Sequence, residues 1–156
     1  MKRIYLAGGC FWGVQAYFKT IKGVIFTTVG YANSNIENPT YQMLKEEKST
    51  AVETTEVYYD ENQISLSEII IKLFDAIDPT TLNRQGPDFG IQYRSGIYYE
   101  ISSDLKIIKQ VVNEYQQKLN KPIVTEIIKL KNYYLAEEYH QNYTDKNKNV
   151  ICHIKF

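Results

Sequence analysis

A cysteine set between glycines and aromatic side chains is the group in this sequence best suited to chemistry. Cys10 follows the apolar run Ile4–Ala7 and two glycines, and it precedes Phe11 and Trp12. The apolar run predicts a strand and the residues after the cysteine predict a helix, so the thiol lies where a strand turns into a helix. Unpaired N–H groups and the positive end of the helix dipole favour the nucleophilic thiolate there. The pattern predicts a reactive Cys10 beside an apolar pocket formed by Phe11 and Trp12.

A purely structural role for this cysteine is the alternative. Free cysteine is among the most buried residue types, and most cysteines carry no reaction. Glycine costs stability in helices and strands, so Gly8 and Gly9 before the cysteine and Gly13 after it indicate a special backbone or a close approach. This clustering favours the chemical interpretation of Cys10.

The composition limits the classes of protein and of partner. The 156 residues carry 18 basic and 18 acidic side chains, so a net charge of zero gives no general attraction to nucleic acid or to an anionic membrane. No apolar stretch is long enough to span a bilayer. The length predicts one domain, residues 1–156, with a proper core. We expect a monomer.

Cysteine and histidine usage bears on the compartment and on metals. Two cysteines, Cys10 and Cys152, are too few for a secreted disulfide scaffold and indicate a reducing compartment, so we expect a cytoplasmic protein. The two histidines lie far from metal-ligand spacing and there is no Cys-x-x-Cys pair. We therefore expect no metal and no other cofactor.

The spacing of apolar residues predicts strands that alternate with helices. The order is strand, helix, strand, strand, helix, strand, helix, strand and a tail, which favours the α+β class. We predict a two-layer α/β plait with a ferredoxin-like split βαβ core, a mixed sheet and helices on one face. The strands are predicted at Lys2–Ala7, Val24–Tyr31, Glu53–Asp60, Arg94–Tyr99 and Val124–Leu130, and the helices from near Phe11 to near Gly23, from a cap at Ser65 or Ser67 through Ile77, and over Leu105–Leu119.

Two long segments and the C-terminal tail show no clear periodicity. Residues 32–49 and 78–92 are predicted loops, and loops of this length in a compact domain are usually functional or disordered. Their aromatic, acidic and glycine residues favour a functional role. The tail, residues 132–156, is polar and irregular, with a short helix expected near Ala136–Tyr139.

The segment Gly9-Cys10-Phe11-Trp12-Gly13 resembles the signature of the A-type peptide methionine sulfoxide reductases. Further segments match the pattern of this family in the expected order, so the resemblance extends over nearly the whole chain. They are Gly30–Ala32, Asn38–Tyr41, Glu53 with Glu56–Asp60, Asp78–Ser95 and Ala136–Tyr143. An ordered set of matches is more specific than the first segment alone.

The resemblance implies a thiol-dependent reduction of the S-epimer of methionine sulfoxide, free or in proteins, to methionine. Cys10 is the implied nucleophile and becomes a sulfenic acid. The reaction also needs a proton for the departing oxygen and an apolar slot for the S-methyl group. The family's oxygen-side groups match Glu53, Tyr41 and Tyr93, its methyl slot matches Phe11 and Trp12, and its residue for the substrate backbone matches Asp88.

These implied roles set a requirement on the protonation of Glu53. A protonated carboxylic acid can donate a hydrogen bond to the sulfoxide oxygen, and this bond strengthens as the oxygen gains charge. An apolar site lined by aromatic rings would keep the acid protonated near neutral pH through desolvation. Without the family match, an ordinary strand-edge carboxylate would be the better interpretation of Glu53.

The second cysteine matches a recycling cysteine in the tail of the family. The resemblance implies that Cys152 forms a disulfide with Cys10, and that a thioredoxin-type partner reduces this disulfide. A flexible tail can bring the two ends of the chain together at modest entropic cost. A tail thiol without a function is the alternative.

The chain departs from the family pattern at a few positions. Asn33 and Ser34 stand where glycines are common, and Ala51 and Ile77 stand where histidines are usual. Because the cysteine and the glutamate are present, we expect the reaction to be retained.

Two other classes of function are consistent with the residues. A cysteine hydrolase would pair Cys10 with His140, and that histidine would be neutral and oriented by an Asn or Asp. A non-catalytic peptide-binding module would hold a methionine-like side chain in the aromatic pocket and would not need Cys10. Dependence on a dithiol reductant distinguishes the reductase from the hydrolase, and the effect of Cys10→Ser distinguishes both enzymes from the binding module.

Overall fold

A central sheet with flanking helices forms the architecture of a computed structural model that describes residues 1–149 and 153–154. The strands are β1 (Lys2–Ala7), β2 (Val24–Ala32), β3 (Val52–Tyr59), β4 (Arg84–Gln85), β5 (Asp88–Phe89), β6 (Gly96–Tyr99), β7 (Glu126–Lys129) and β8 (Tyr133–Leu135). The helices are α1 (Phe11–Lys19), α2 (Tyr41–Lys45), α3 (Leu66–Ala76), α4 (Ser102–Gln116) and α5 (Tyr143–Lys146). Single 3-10 turns cover Ile91–Tyr93 and Glu138–His140.

Six strands form one mixed sheet in the order β7-β6-β1-β3-β2-β8. Neighbouring strands are antiparallel except for β6 and β7, which are parallel. Strand β3 lies between β1 and β2, which α1 connects along the chain. The predicted α+β class with a mixed sheet is confirmed. Among the helices of the described residues, none has the length and apolar character needed to cross a membrane.

The two faces of the sheet belong to different apolar clusters. Ile4 and Leu6 of β1 are fully buried in a cluster that also contains apolar residues of α1, α3 and α4. The intervening Tyr5 and Ala7 belong to a second cluster, which includes Tyr98 of β6. This alternation follows from the two-residue period of a strand. The three longer helices therefore pack on the face of the sheet that carries Ile4 and Leu6.

Helix α3 begins with a capping box. The Ser65 hydroxyl accepts the Glu68 N–H at 3.1 Å, and the Glu68 carboxylate accepts the Ser65 backbone N–H at 3.4 Å. This pair satisfies N–H groups that a helix start leaves without intrahelical partners. Of the two predicted caps, Ser65 is the one that is used. The helix ends at Ala76. Ile77 then packs against Gly8, which belongs to the turn at residues 8–10 that we call the cysteine turn.

The tail and the second long loop contain strands that the sequence analysis did not predict. Strand β8 pairs with β2, and the β4–β5 hairpin lies within the loop at residues 78–92. Strands of two or three residues show too little alternation to be recognised, and β8 pairs with residues far away in the sequence. The short helix expected near Ala136–Tyr139 is a single 3-10 turn at Glu138–His140.

The Gln141 side chain fastens the tail to the sheet. Its Oε1 accepts the Val29 N–H at 3.0 Å, and its Nε2 donates to the Val29 carbonyl at 2.8 Å. The same Nε2 donates to the Ala136 carbonyl at 3.1 Å. The buried amide thus bonds to both backbone groups of Val29, and the Ala136 N–H also donates to the Val29 carbonyl at 3.0 Å. This contact holds residues 136–141 against β2.

Candidate active site

Cys10 lies between the end of β1 at Ala7 and the start of α1 at Phe11, as predicted. It is the N-cap residue of α1, and its carbonyl accepts the Gly13 N–H at 3.2 Å. The residue is partly exposed. Its position at the positive end of the helix dipole favours the thiolate form.

The turn before the cysteine depends on Gly9. Its φ of +86° lies in the left-handed region, which L side chains rarely adopt. A Cβ atom at this position would also lie 2.6 Å from Cβ of Gln85. Gln85 is buried, and its side chain accepts the Asp78 N–H at 3.0 Å and donates to the Asp78 carbonyl at 2.6 Å. The base of the loop at residues 78–92 is therefore packed against the cysteine turn.

Glu53 of β3 extends its carboxyl group to the first residue of α1. Its Oε1 accepts the Phe11 N–H at 3.2 Å, and the residue is only 1% exposed. The other oxygen, Oε2, has no hydrogen-bond partner among the described residues. Glu53 therefore satisfies an amide at the helix start and retains one buried oxygen for a further contact.

Burial controls the protonation of this carboxyl group. Desolvation raises the pKa of Glu53 from 4.5 to about 8, and the negative charge of Asp88 acts in the same direction. The Phe11 amide and the Gln92 side chain lower this pKa, but their effect is smaller than that of desolvation. Burial therefore favours the protonated form of Glu53 near neutral pH, which is the form that the sequence analysis expects.

Two tyrosines lie near Glu53 and Cys10. Tyr41 is the first residue of α2, and Tyr93 ends the 3-10 turn at Ile91–Tyr93. Desolvation, together with the charges of Glu53 and Cys10, raises the pKa of Tyr41 to about 12. The pKa of Tyr93 is raised further, mainly by desolvation and by the charge of Glu53. Both phenols are therefore O–H donors at neutral pH.

Phe11 and Trp12 provide aromatic surface beside the cysteine. Phe11 is fully buried, and its ring packs against that of Tyr31 with centroids 5.8 Å apart. Trp12 is partly buried and stacks on Tyr143, with ring centroids 3.7 Å apart and planes 5° from parallel. The indole N–H of Trp12 donates to Nδ1 of His140 at 2.9 Å. These contacts fix the orientation of the indole.

His140 is fully buried in this aromatic cluster and is not suited to act as a base toward Cys10. Burial lowers the pKa of His140, so the imidazole is neutral. A neutral imidazole has one nitrogen lone pair, and here the lone pair of Nδ1 is occupied by the indole N–H of Trp12. This geometry does not favour the cysteine hydrolase.

Several residues of the site were not identified from the sequence. Glu137 accepts the Tyr31 hydroxyl at 2.6 Å and the Tyr41 N–H at 3.2 Å, so it joins the tail to α2. Gln92 affects the pKa of Glu53, and Tyr143 stacks on Trp12. All three lie in segments that match the family, but residue type and spacing gave no information about their partners.

The remaining predicted positions are distributed around the site. Asp88 lies in β5 and is partly exposed, and its negative charge raises the pKa of Glu53. Ala51, which stands where a histidine is usual, is fully buried in an apolar cluster with Phe11. Cys152 lies outside the described residues. Within residues 1–149 and 153–154, no group of three or more His, Cys, Asp or Glu side chains could hold a metal ion.

A thiol at a helix start, a buried acid and two phenols form the kind of site that a thiol-dependent enzyme uses. Residues 2–156 match the family model for peptide methionine sulfoxide reductase. The peptide methionine sulfoxide reductase MsrA of Metamycoplasma arthritidis is 58% identical over 156 residues, which cover 100% of both chains. The chain belongs to the peptide methionine sulfoxide reductase family.

Solved structures of a yeast relative have the same fold. The reduced form of Mxr1 from Saccharomyces cerevisiae has a TM-score of 0.92 and 37% sequence identity, and the match covers 97% of this chain and 88% of that chain. Mxr1 in complex with Trx2 has a TM-score of 0.66 and 31% identity, and the match covers 91% of this chain and 84% of that chain.

The raised pKa of Glu53 predicts that stability depends on pH. The folded state retains a proton that the unfolded chain releases between pH 4.5 and about 8, so the stability contributed by this proton is lost over that interval as pH rises. We expect the free energy of unfolding of the unmodified protein to fall relative to that of Glu53→Gln, by at most about 1.4 kcal/mol per pH unit. Urea denaturation of both proteins across this range measures the effect. A difference that does not change with pH would contradict the assignment.

Proposed function

We propose that this protein reduces the S-epimer of methionine sulfoxide, free or in proteins, to methionine, with Cys10 as the nucleophile and thioredoxin as the final reductant. The observation that carries the proposal is the buried acid Glu53, which accepts a hydrogen bond from the backbone N–H of Phe11, the residue directly after Cys10. A nucleophile and a proton donor are thus attached to the same helix start. Membership of the family supports this activity.

The first half-reaction transfers the sulfoxide oxygen to Cys10. The Cys10 thiolate attacks the sulfoxide sulfur, and Glu53 gives its proton to the oxygen. The bond between the substrate sulfur and oxygen breaks, the oxygen ends on the Cys10 sulfur as a sulfenic acid, and methionine leaves. The substrate sulfur is reduced and the Cys10 sulfur is oxidised by the same number of electrons.

The other side chains hold the substrate for this step. Tyr41 and Tyr93 donate hydrogen bonds to the oxygen as it gains charge, in an environment where burial strengthens such bonds. Phe11 and Trp12 form the apolar surface that receives the S-methyl group. Ring packing and the hydrogen bond from the Trp12 indole to His140 hold this surface in place. Asp88, at the edge of the site, binds the backbone of the substrate methionine.

The second half-reaction regenerates the thiol. Cys152 attacks the sulfenic sulfur of Cys10, a disulfide forms, and water leaves. A thioredoxin then reduces the disulfide. The yeast relative Mxr1 is known in complex with Trx2, which supports a thioredoxin as the partner.

The composition supports the setting of the reaction. Two cysteines that must return to thiols in each cycle suit a reducing compartment, so we place the protein in the cytoplasm. A net charge of zero gives no reason to expect nucleic acid or membrane as a partner. We take residues 1–156 to act as one domain and as a monomer.

A single-turnover assay tests the activity. We expect the reduced protein, mixed with each epimer separately and without reductant, to form methionine from the S form alone and to lose both thiols. Cys10→Ser should form none, because it removes the nucleophile. Methionine is measured by chromatography and thiols by alkylation and mass spectrometry. No methionine from either epimer with both thiols intact would contradict the proposed function, and appreciable activity in Cys10→Ser would contradict the role of Cys10.

Glu53→Gln tests the proton donor. We expect the single-turnover rate of methionine formation to fall on the order of 10²-fold, because the acid is lost while the two phenols remain. The matched control is Glu56→Gln, which changes a buried carboxylate of the same strand that bonds to Arg3, Tyr5 and Thr28 instead. Reactions quenched at successive times at neutral pH give the single-turnover rate of methionine formation for each variant. An unchanged rate in Glu53→Gln would show that Glu53 does not supply the proton.

Cys152→Ser tests the recycling step. We expect about one methionine per enzyme without reductant, because the first half-reaction does not use Cys152. Turnover with thioredoxin should be lost, and the measurement is methionine formed over time with thioredoxin and its reductase. Sustained turnover of this variant would show that another route regenerates Cys10.

A further inference from the structure

The position of the Tyr41 phenol depends on contacts from outside its own helix. Helix α2 has five residues within the long loop that follows β2, and Leu44 is the residue of this helix that is buried. The Thr40 hydroxyl accepts the Met43 N–H at 3.2 Å, but this cap belongs to the same loop. Because so short a helix is not stable by itself, contacts with the rest of the protein must fix it.

The carboxylate of Glu137 in the tail holds the start of α2. Its Oε2 accepts the Tyr41 N–H at 3.2 Å, and such an amide has no intrahelical partner at a helix start. Its Oε1 accepts the Tyr31 hydroxyl at 2.6 Å. Burial opposes ionisation, but the hydrogen bonds from Tyr31 and from the Tyr41 amide lower the pKa of Glu137. The group is therefore ionised at neutral pH, and each of its oxygens has its own donor.

The other end of this bridge is fixed beside the acid of the site. Tyr31 is fully buried in β2 and lies directly opposite Glu53 of β3 in the antiparallel ladder. Residues in such a pair have side chains on the same face of the sheet, with Cβ atoms about 4.5–5.5 Å apart. The Tyr31 ring also packs against Phe11, with centroids 5.8 Å apart. Glu137 thus connects the helix that begins with Tyr41 to the side chain next to Glu53.

We propose that Glu137 is a positioning residue for the reduction step, because its carboxylate bridges Tyr31 and the Tyr41 amide and so holds the Tyr41 phenol within reach of the sulfoxide oxygen that Glu53 protonates. This inference rests on the proposed function. Glu137 acts through Tyr41 and not on the substrate. The hydrogen bond from the phenol strengthens as the oxygen gains charge, so a small displacement of this donor lowers the rate.

Single-turnover rates without reductant test this role. In Glu137→Ala we expect the rate constant at saturating sulfoxide to fall about tenfold, which is the size of effect that one or two hydrogen bonds carry. The sulfoxide concentration that gives half the maximal rate should change less than about twofold, because the Tyr41 bond strengthens mainly in the transition state. Reactions quenched at successive times over a range of sulfoxide concentrations give both quantities.

A kinetic double-mutant cycle distinguishes action through Tyr41 from a general structural role. In the Tyr41→Phe background, Glu137→Ala should change the rate less than about twofold, because the phenol that Glu137 positions is already absent. The same loss in both backgrounds would overturn the proposal. An unchanged rate in Tyr41→Phe alone would also overturn it, since Glu137 would then have no phenol to position.

Two further variants test the bridge even where Glu137→Ala does not fold. Glu137→Gln keeps both contacts, because the amide oxygen can accept the Tyr41 N–H and the amide nitrogen can donate to the Tyr31 oxygen. We expect this variant to retain most of the rate. Tyr31→Phe keeps the ring and removes one bond, so we expect a loss of about threefold that is absent in the Tyr41→Phe background. A large loss in Glu137→Gln, or an unchanged rate in Tyr31→Phe, would overturn the bridge.

The matched control is Glu138→Ala, which removes the neighbouring carboxylate of the tail. The Glu138 side chain is 89% exposed, and its carboxylate lies 3.8 Å from Nζ of Lys146. We expect this control to keep the unmodified rate, and a loss equal to that of Glu137→Ala would overturn the assignment. If the unmodified protein forms no methionine, the proposed function fails. If it forms methionine and Glu137→Ala does so at the same rate, only the role of Glu137 fails.

Discussion

The site depends on one buried contact, a hydrogen bond from the backbone N–H of Phe11 to the carboxyl group of Glu53. The contact joins β3 to the first turn of α1 and places an acid beside the cysteine that caps this helix. An amide donor alone would favour the carboxylate, but the loss of water around the group has the larger effect and retains the proton. Retention of this proton therefore requires that water be excluded from the carboxyl group of Glu53.

The tail packs against several residues that surround the site. Gln141 satisfies the backbone of Val29, and Glu137 holds both Tyr31 and the first residue of α2. His140 lies fully buried against Phe11 and fixes Trp12. Because Gln141, Glu137 and Nδ1 of His140 each have a defined hydrogen-bond partner, the tail can be polar in sequence and still form a wall of the site.

The sequence predicted those parts of the structure that local patterns determine. The bounds of β1, the start of α1 and the Ser65 cap follow from apolar spacing, glycine and capping chemistry within a few residues. The class of fold was also predicted correctly. Strand β8 and the contacts of Glu137 and Tyr143 were missed, because they depend on pairs far apart in sequence whose residue types are common in any polar tail.

The contacts of Trp12 also affect how the protein is made. Its indole is fixed by His140, which lies 128 positions later in the chain, and by Tyr143. During synthesis the N-terminal thiol therefore emerges long before the aromatic pocket can be completed. Contacts with such wide sequence separation form late and slowly in folding. A nascent chain thus carries a cysteine that can be oxidised but no formed pocket for methionine sulfoxide, and repair activity begins only when residues 137–143 have docked.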